Sequence, residues 1–327
     1  MRAIVVREQG PPEVLVLEDL DDPRPGPGQA LVRLAAAGVN MIDVQQRSGG
    51  YRIDPPFTPG TEAAGEVVEV HGSVDGIAPG NRVAYAGVRG AYAELAVVPA
   101  ERLVPVPDGV PTELAAAGLL QGMTAHYLVH AVVPLHEGDV VVVHAAAGGV
   151  GLLLTQLAAA TGLRVIGTTS TEEKAELVRK AGALDVVVRG DRAFPAVVEE
   201  HTDGRGARAV FDSIGRDTFD DSLASLARRG TVVLFGQSSG PVAPFDLARL
   251  QAAGSVFVTR PGLADYVATR EELLGRAGAV LSMIGDGSLE VRVHARFPLE
   301  RADDAHRALQ SRATAGKVLL TIDRSPS

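Results

Sequence analysis

The sequence predicts a two-domain α/β protein, a doubly wound parallel sheet combined with a second, β-rich domain, and three observations carry that reading. An apolar run, Val140–Val143, breaks directly into a glycine-rich turn with the pattern Ala146-x-Gly148-x-x-Gly151 and then into an apolar helix. Short apolar runs then alternate with helix-length segments for over a hundred residues. On either side the texture changes to strand-like segments divided by Pro/Gly turns.

The turn reads as the βα turn of a dinucleotide site. Gly148 would let the backbone approach a pyrophosphate, Gly151 would let the helix pack closely on the strand, and the helix-start N–H groups would face the phosphates. A helix is expected from about Val150 to Thr161, then a strand from Leu163 to Thr168 and a helix from Thr171, whose first-turn acids Glu172 and Glu173 suit the positive helix end. Further runs at Ala183–Val188, Ala207–Phe211 and Gly230–Phe235 read as strands, with a helix near Thr218–Ala227. Strands that are continuously apolar and separated by helices are buried on both faces of a parallel sheet.

At the end of the second strand an NAD site places an acid for the ribose 2′-hydroxyl. Here stand Thr168, Thr169 and Ser170, with Lys174 one turn into the next helix. Hydroxyls and a cation suit a 2′-phosphate, so NADP is favoured. The alternative is that Ser170 only caps the helix and Lys174 is a solvated surface residue.

Residues 1–122 carry strand-like runs at Met1–Arg7, Ala30–Ala36, Gly65–His71, Arg82–Ala86 and Ala91–Val98. From about Gly262 the chain is helical at first and ends in a strand, Gly316–Ile322. The domain organisation is therefore read as 1–122 with 263–327, and 123–262 between them. If the last strand pairs with the N-terminal one, the nucleotide domain is an insertion and the active site lies in the cleft between domains.

Composition sets limits. At 327 residues the chain exceeds what one core usually supports, and no apolar stretch is long enough to span a bilayer. A net charge of −9 and the lack of basic runs argue against nucleic acid as partner. With no cysteine, disulfides, thiolate metal sites and cysteine nucleophiles are excluded together. The short N-terminal apolar segment is not a signal peptide, and a cytoplasmic location with no membrane partner is expected.

A resemblance then covers nearly the whole chain, carried in order by Gly38–Asn40, Pro59–Glu62 with Ala64 and Gly65, Gly80–Ala84, Leu120–Leu128, His144–Gly151, Phe211–Gly215, Phe235–Gly240, Val258–Pro261 and Ser311–Lys317. The sequence resembles the zinc-independent NADPH:quinone oxidoreductases of the medium-chain dehydrogenase/reductase superfamily, the group that includes zeta-crystallin. The resemblance implies a GroES-like catalytic domain, a Rossmann domain, NADPH and a homodimer. It implies that Gly149 and Val150 lie against the pyrophosphate and that Ser170, Lys174 and Arg312 surround the 2′-phosphate. Arg189 stands where relatives often have a tyrosine touching that phosphate; its guanidinium would either clamp the phosphate or point into solvent. Asn40, Thr124, Tyr127, Gly236, Gln237, Ser238 and Ser239 would line the nicotinamide half.

Metal-dependent relatives use a cysteine and a histidine–glutamate pair at a catalytic zinc, whereas this chain has Thr61 before Glu62 and no cysteine, so no metal site is expected. His126 and His130 have helical i,i+4 spacing but lack a third ligand, and His144 is read as a strand-end residue. Asp212 is read as holding loop structure. Without a Lewis acid, electron-poor conjugated carbonyls are the natural acceptors, because they delocalise incoming charge themselves. Asn40, Tyr51 and Arg260 are the candidate pocket residues, none of them a secure general acid. Gln45 replaces an aromatic residue of the relatives, which makes the pocket more polar. The leading expectation is reduction of quinones or activated conjugated carbonyls; the alternatives are an enoyl or 2-alkenal reductase, and an NADPH-binding structural or regulatory protein with little turnover.

Overall fold

The periodicity of the apolar runs decides the architecture. In the computed structural model, which describes residues 1–322, the chain divides into one unit built from Met1–Gln121 with the segment beginning at Val267, and another spanning Gly122–Tyr266. Seven strands come first: β1 (Arg2–Val5), β2 (Val16–Asp19), β3 (Gln29–Val39), β4 (Glu62–His71), β5 (Arg82–Ala86), β6 (Leu95–Pro99) and β7 (Val104–Pro105). The second unit carries β8 (Val140–Val143), β9 (Arg164–Thr169), β10 (Asp185–Val188), β11 (Ala207–Asp212), β12 (Leu226–Leu234) and β13 (Phe257–Thr259). The first unit is completed by β14 (Val293–Pro298) and β15 (Lys317–Thr321).

In the first unit the sheet order is β14-β15-β3-β4-β5-β7, with β6 also on β3. The eleven-residue β3 is its spine, and its inward residues Ala30, Val32, Leu34, Ala37 and Val39 join Val318 and Leu320 of β15 in one core. The C-terminal strand therefore does not pair with β1, as the insertion argument supposed. Val318 pairs antiparallel with Val39, while β1 is engaged by β2 and by the carbonyl of Tyr92. Helix α1 (Met41–Ser48) leaves the end of β3, and the long helix α2 (Thr112–Tyr127) ends this unit's first segment.

The second unit has the order β10-β9-β8-β11-β12-β13, every neighbouring pair parallel. Sequence order reverses between β8 and β11, the switch point at which open α/β sheets bind ligands. Helices α3 (Gly149–Ala160), α4 (Glu172–Lys180), α5 (Phe194–Thr202) and α6 (Phe219–Ala224) connect the strands. The helix expected to reach Ala227 stops at Ala224, because Leu226 already pairs with Ala207 of β11. Gly122 and Leu263–Tyr266, expected in the β-rich domain, belong here; the Tyr266 ring stacks on Tyr127 with centroids 4.3 Å apart.

Candidate cofactor and active site

The turn after β8 is shaped by close backbone approach. A Cβ on Gly151 would stand 2.5 Å from the Ala145 carbonyl oxygen and 2.7 Å from the Ala146 Cα, so only glycine permits α3 to sit this near the strand. Ala145 takes a left-handed φ of 50° to start the turn, and Gly148 is an extended N-cap with no side-chain cap bond. The first N–H groups of α3, those of Gly149 and Val150, are thus left to a ligand at the positive helix end. This cradle fits a pyrophosphate.

The ends of the adjacent strands supply the second feature. Val188 pairs with Thr169, and the Arg189 N–H donates to the Thr169 carbonyl at 2.9 Å, so Arg189 leaves β10 beside Ser170 at the end of β9. Ser170 and Arg189 are exposed, and Lys174, at the start of α4, is half-buried, with burial holding its ammonium below the usual lysine range. Thr171 is the N-cap of α4, accepting from the Lys174 N–H, so capping falls to Thr171 and leaves Ser170 outside that role. The hydroxyl and cationic groups at these strand ends are of the kind a 2′-phosphate accepts from. Arg312, in the first unit, is exposed and takes a left-handed φ of 59°.

Thr168 turns inward. His144 is 1% exposed, with Nδ1 2.9 Å from the Thr168 hydroxyl and Nε2 3.0 Å from Ser222 Oγ. Ser222 donates in turn to Asp212, whose other oxygen receives the N–H groups of Ile214 and Gly215. Asp212 accordingly holds the loop after β11, and His144 is a buried bridge rather than a simple strand end. Burial lowers the His144 pKa, keeping the ring neutral. In the loop after β12, a Cβ on Gly236 would lie 2.7 Å from the Ser213 carbonyl oxygen. Gln237 is half-buried and Ser238 exposed, whereas Ser239 spends its hydroxyl on the Ile214 carbonyl at 2.8 Å. Thr124 and Tyr127 are buried near the end of α2.

The first unit holds a dry polar cluster around Asn40. The Asn40 backbone N–H donates to Asp43 at 2.8 Å, tying the end of β3 to α1. Its side chain is fully engaged: Oδ1 accepts from Lys317 Nζ at 2.9 Å and Gln121 Nε2 at 3.2 Å, while Nδ2 donates to Glu62 at 3.0 Å. Lys317 and Glu62 form an ion pair at 2.5 Å, 1% and 0% exposed. The remaining Glu62 oxygen accepts the Leu120 N–H of α2 at 2.6 Å. Thr61 donates to Asp43, and Tyr92 OH lies 3.3 Å from Asp43 and 3.0 Å from His306 Nε2. Desolvation pushes the Asp43 carboxyl up to about 7 and the His306 imidazole down to about 3, Arg47 adding to the latter.

Tyr51 is exposed beyond the left-handed Gly49 that ends α1, its carbonyl accepting from Gln9, and Arg260 is exposed after β13. Among the described residues Tyr51 makes no hydrogen bond to the Asn40 cluster. His126 and His130 lie with ring centroids 4.5 Å apart, and among the described residues no three His, Asp or Glu form a metal-holding group. The Glu62 carboxylate has both oxygens committed to Lys317, Asn40 and Leu120.

Comparison with known proteins agrees with this geometry. Residues 26–108 match the alcohol dehydrogenase GroES-like domain and residues 149–270 the zinc-binding dehydrogenase family. A quinone oxidoreductase of Pseudomonas aeruginosa is 42% identical over 313 residues, covering 95% of this chain and 96% of the relative. The chain belongs to the quinone oxidoreductases of the medium-chain dehydrogenase/reductase superfamily. A 2-haloacrylate reductase of a Burkholderia species is 38% identical, covering 97% of this chain and 98% of that enzyme. Among solved structures, the Escherichia coli quinone oxidoreductase complexed with NADPH superposes with a TM-score of 0.95 at 39% identity, covering 98% of this chain and all of that one. A mycobacterial relative complexed with NADPH gives the same TM-score at 48% identity, with the same coverage.

Sequence reasoning did not single out Lys317 as a member of the Asn40 cluster. A lysine opening a strand reads as a solvated residue, and its partner lies 255 positions away. Gly38 was the available signal: a Cβ there would meet Glu62 Oε2 at 2.2 Å and Lys317 Nζ at 2.7 Å.

Proposed function

We propose that this chain is an NADPH-dependent reductase of quinones and other activated conjugated carbonyls, acting without a metal. The observation that carries the reading is the glycine cradle at the switch point of the parallel sheet, with Ser170, Lys174 and Arg189 at the neighbouring strand ends. NADPH, when bound, supplies a hydride to an electron-poor carbon. Gly148, Gly149 and Val150 hold the pyrophosphate through backbone groups. Ser170, Lys174, Arg189 and Arg312 hold the 2′-phosphate. Thr124, Tyr127, Gly236, Gln237 and Ser238 line the nicotinamide half, to which Ser239 contributes through its backbone because its hydroxyl is bonded to Ile214. Asn40 is assigned to orienting the reacting partners, and Tyr51 and Arg260 to the acceptor side.

No strong acid is assigned to the reaction, so an acceptor that spreads charge into its own conjugated carbonyl is favoured over a simple ketone. The 2-haloacrylate reductase relative supports a second reading, hydride delivery to the β-carbon of an activated alkene. A homodimer and a cytoplasmic location belong to the same proposal; sedimentation and cell fractionation test them. Steady-state assays with benzoquinone, phenanthrenequinone, a 2-alkenal and an enoyl thioester separate the two acceptor classes. Tight NADPH binding with no oxidation by any acceptor would instead indicate a binding protein with little turnover.

A further inference from the structure

We propose that Lys317 is a positioning residue of the reductase: its ammonium holds the Asn40 amide, and through it the Gln121 carboxamide, in one orientation. The inference rests on the reading of Asn40 as a reaction-site residue. An asparagine amide is nearly symmetric in shape, so packing alone does not fix which end faces which neighbour. An ammonium has three donors and no acceptor, so the end facing Lys317 Nζ at 2.9 Å is the oxygen. That choice turns Nδ2 onto the Glu62 carboxylate at 3.0 Å, and Glu62 is itself held by Lys317 and the Leu120 N–H.

The polarity then propagates outward. Asn40 Oδ1 accepts Gln121 Nε2 at 3.2 Å, leaving the Gln121 carbonyl oxygen as the end presented beyond the network, an acceptor suited to a ligand N–H or O–H. Exposure rises along the same path, from Glu62 at 0% and Lys317 at 1% through Asn40 at 5% to the half-buried Gln121. The backbone is adapted to the pair, since Gly38 leaves the space that Glu62 Oε2 and Lys317 Nζ fill. A buried ion pair is weak as a stabilising device, and a hydrophobic replacement of similar volume often serves as well. Specifying one amide orientation is something such a replacement cannot do.

Lys317→Met alone strands a buried carboxylate and is expected to unfold at much lower temperature. The paired variant Lys317→Met with Glu62→Gln removes both charges; because the Leu120 N–H claims the amide oxygen at position 62, its NH2 faces Asn40 and favours the reversed Asn40 orientation. The expected result is recovered thermal stability and unchanged NADPH affinity by calorimetry, with kcat/KM for a quinone reduced roughly 10- to 100-fold, the scale of a small misplacement at a reacting centre. Recovered stability with wild-type kcat/KM would overturn the proposal.

A measurement on the wild-type enzyme stands independently of any variant's folding. The chain has three lysines, Lys174, Lys180 and Lys317, and nitrogen-resolved NMR of their ammonium groups should show one slowly exchanging signal. Its absence would overturn the proposal. If the wild-type protein itself oxidised no NADPH with any acceptor, the functional reading would fail first and this inference with it; loss confined to the paired variant keeps the two apart.

Discussion

Replacing Asp43 by asparagine should add a dependence of stability on pH that the native Asp43–His306 pair does not contribute. Asp43 and His306 are both buried and joined through the Tyr92 hydroxyl, at 3.3 and 3.0 Å. Asp43 titrates near pH 7 in the fold against 3.8 ordinarily, and His306 near pH 3 against 6.5. Between about pH 4 and 6.5 the folded pair therefore holds one proton, on Asp43, and the unfolded pair also holds one, on the histidine. The numbers cancel, so the pair contributes no slope. In Asp43→Asn the folded state holds none while the unfolded histidine still holds one. Stability, complete above pH 6.5, is then lost as pH falls, by ~1.4 kcal/mol per unit and about 3 kcal/mol over two units. His306→Gln gives the mirror image, stability falling as pH rises from about 4 to 7, because a carboxyl with a raised folded value is stabilising only while protonated. Urea unfolding at a series of pH values measures both slopes. Parallel curves for the wild-type protein and Asp43→Asn between pH 4.5 and 6.5 would refute the reasoning.

Lys174→Ala should weaken NADPH by roughly 10- to 100-fold, the scale of a lost charge-assisted hydrogen bond, and leave NADH nearly unchanged. Calorimetric titration with both coenzymes checks it, and equal losses would contradict the 2′-phosphate assignment. His144 should be neutral and carry its proton on Nε2, because Ser222, donating to Asp212, must accept from the ring. Nitrogen NMR of the imidazole reads the tautomer directly, and a proton on Nδ1 would break the proposed chain.

Much of the nucleotide-binding unit was legible because its signals are local. The apolar run of β8, the Gly148 and Gly151 spacing and the alternation of strands and helices each follow from neighbouring residues. The places of Ser170 just after β9 and of Lys174 in α4 were also readable, since both sit at a fixed distance from the turn. Long-range pairing was not. The C-terminal strand pairs with β3 rather than β1, and no local pattern distinguishes those partners. The Lys317–Glu62–Asn40 network likewise joins residues from three strand ends, and only the space beside Gly38 hints at it. Ser239 and Thr168 show the opposite failure: each matched the chemistry expected of a ligand contact, yet their hydroxyls are bonded inward, to Ile214 and His144. Sequence gives the side chain's chemistry, and packing decides which neighbour receives it.

Single-turnover mixing of the chelator-treated protein, preloaded with NADPH, against a quinone tests the central assignment most directly. The account predicts stoichiometric loss of the reduced-nicotinamide absorbance, slowed when the coenzyme carries deuterium at the transferred position. Unchanged absorbance, or turnover that appears only after zinc is added back, would contradict it.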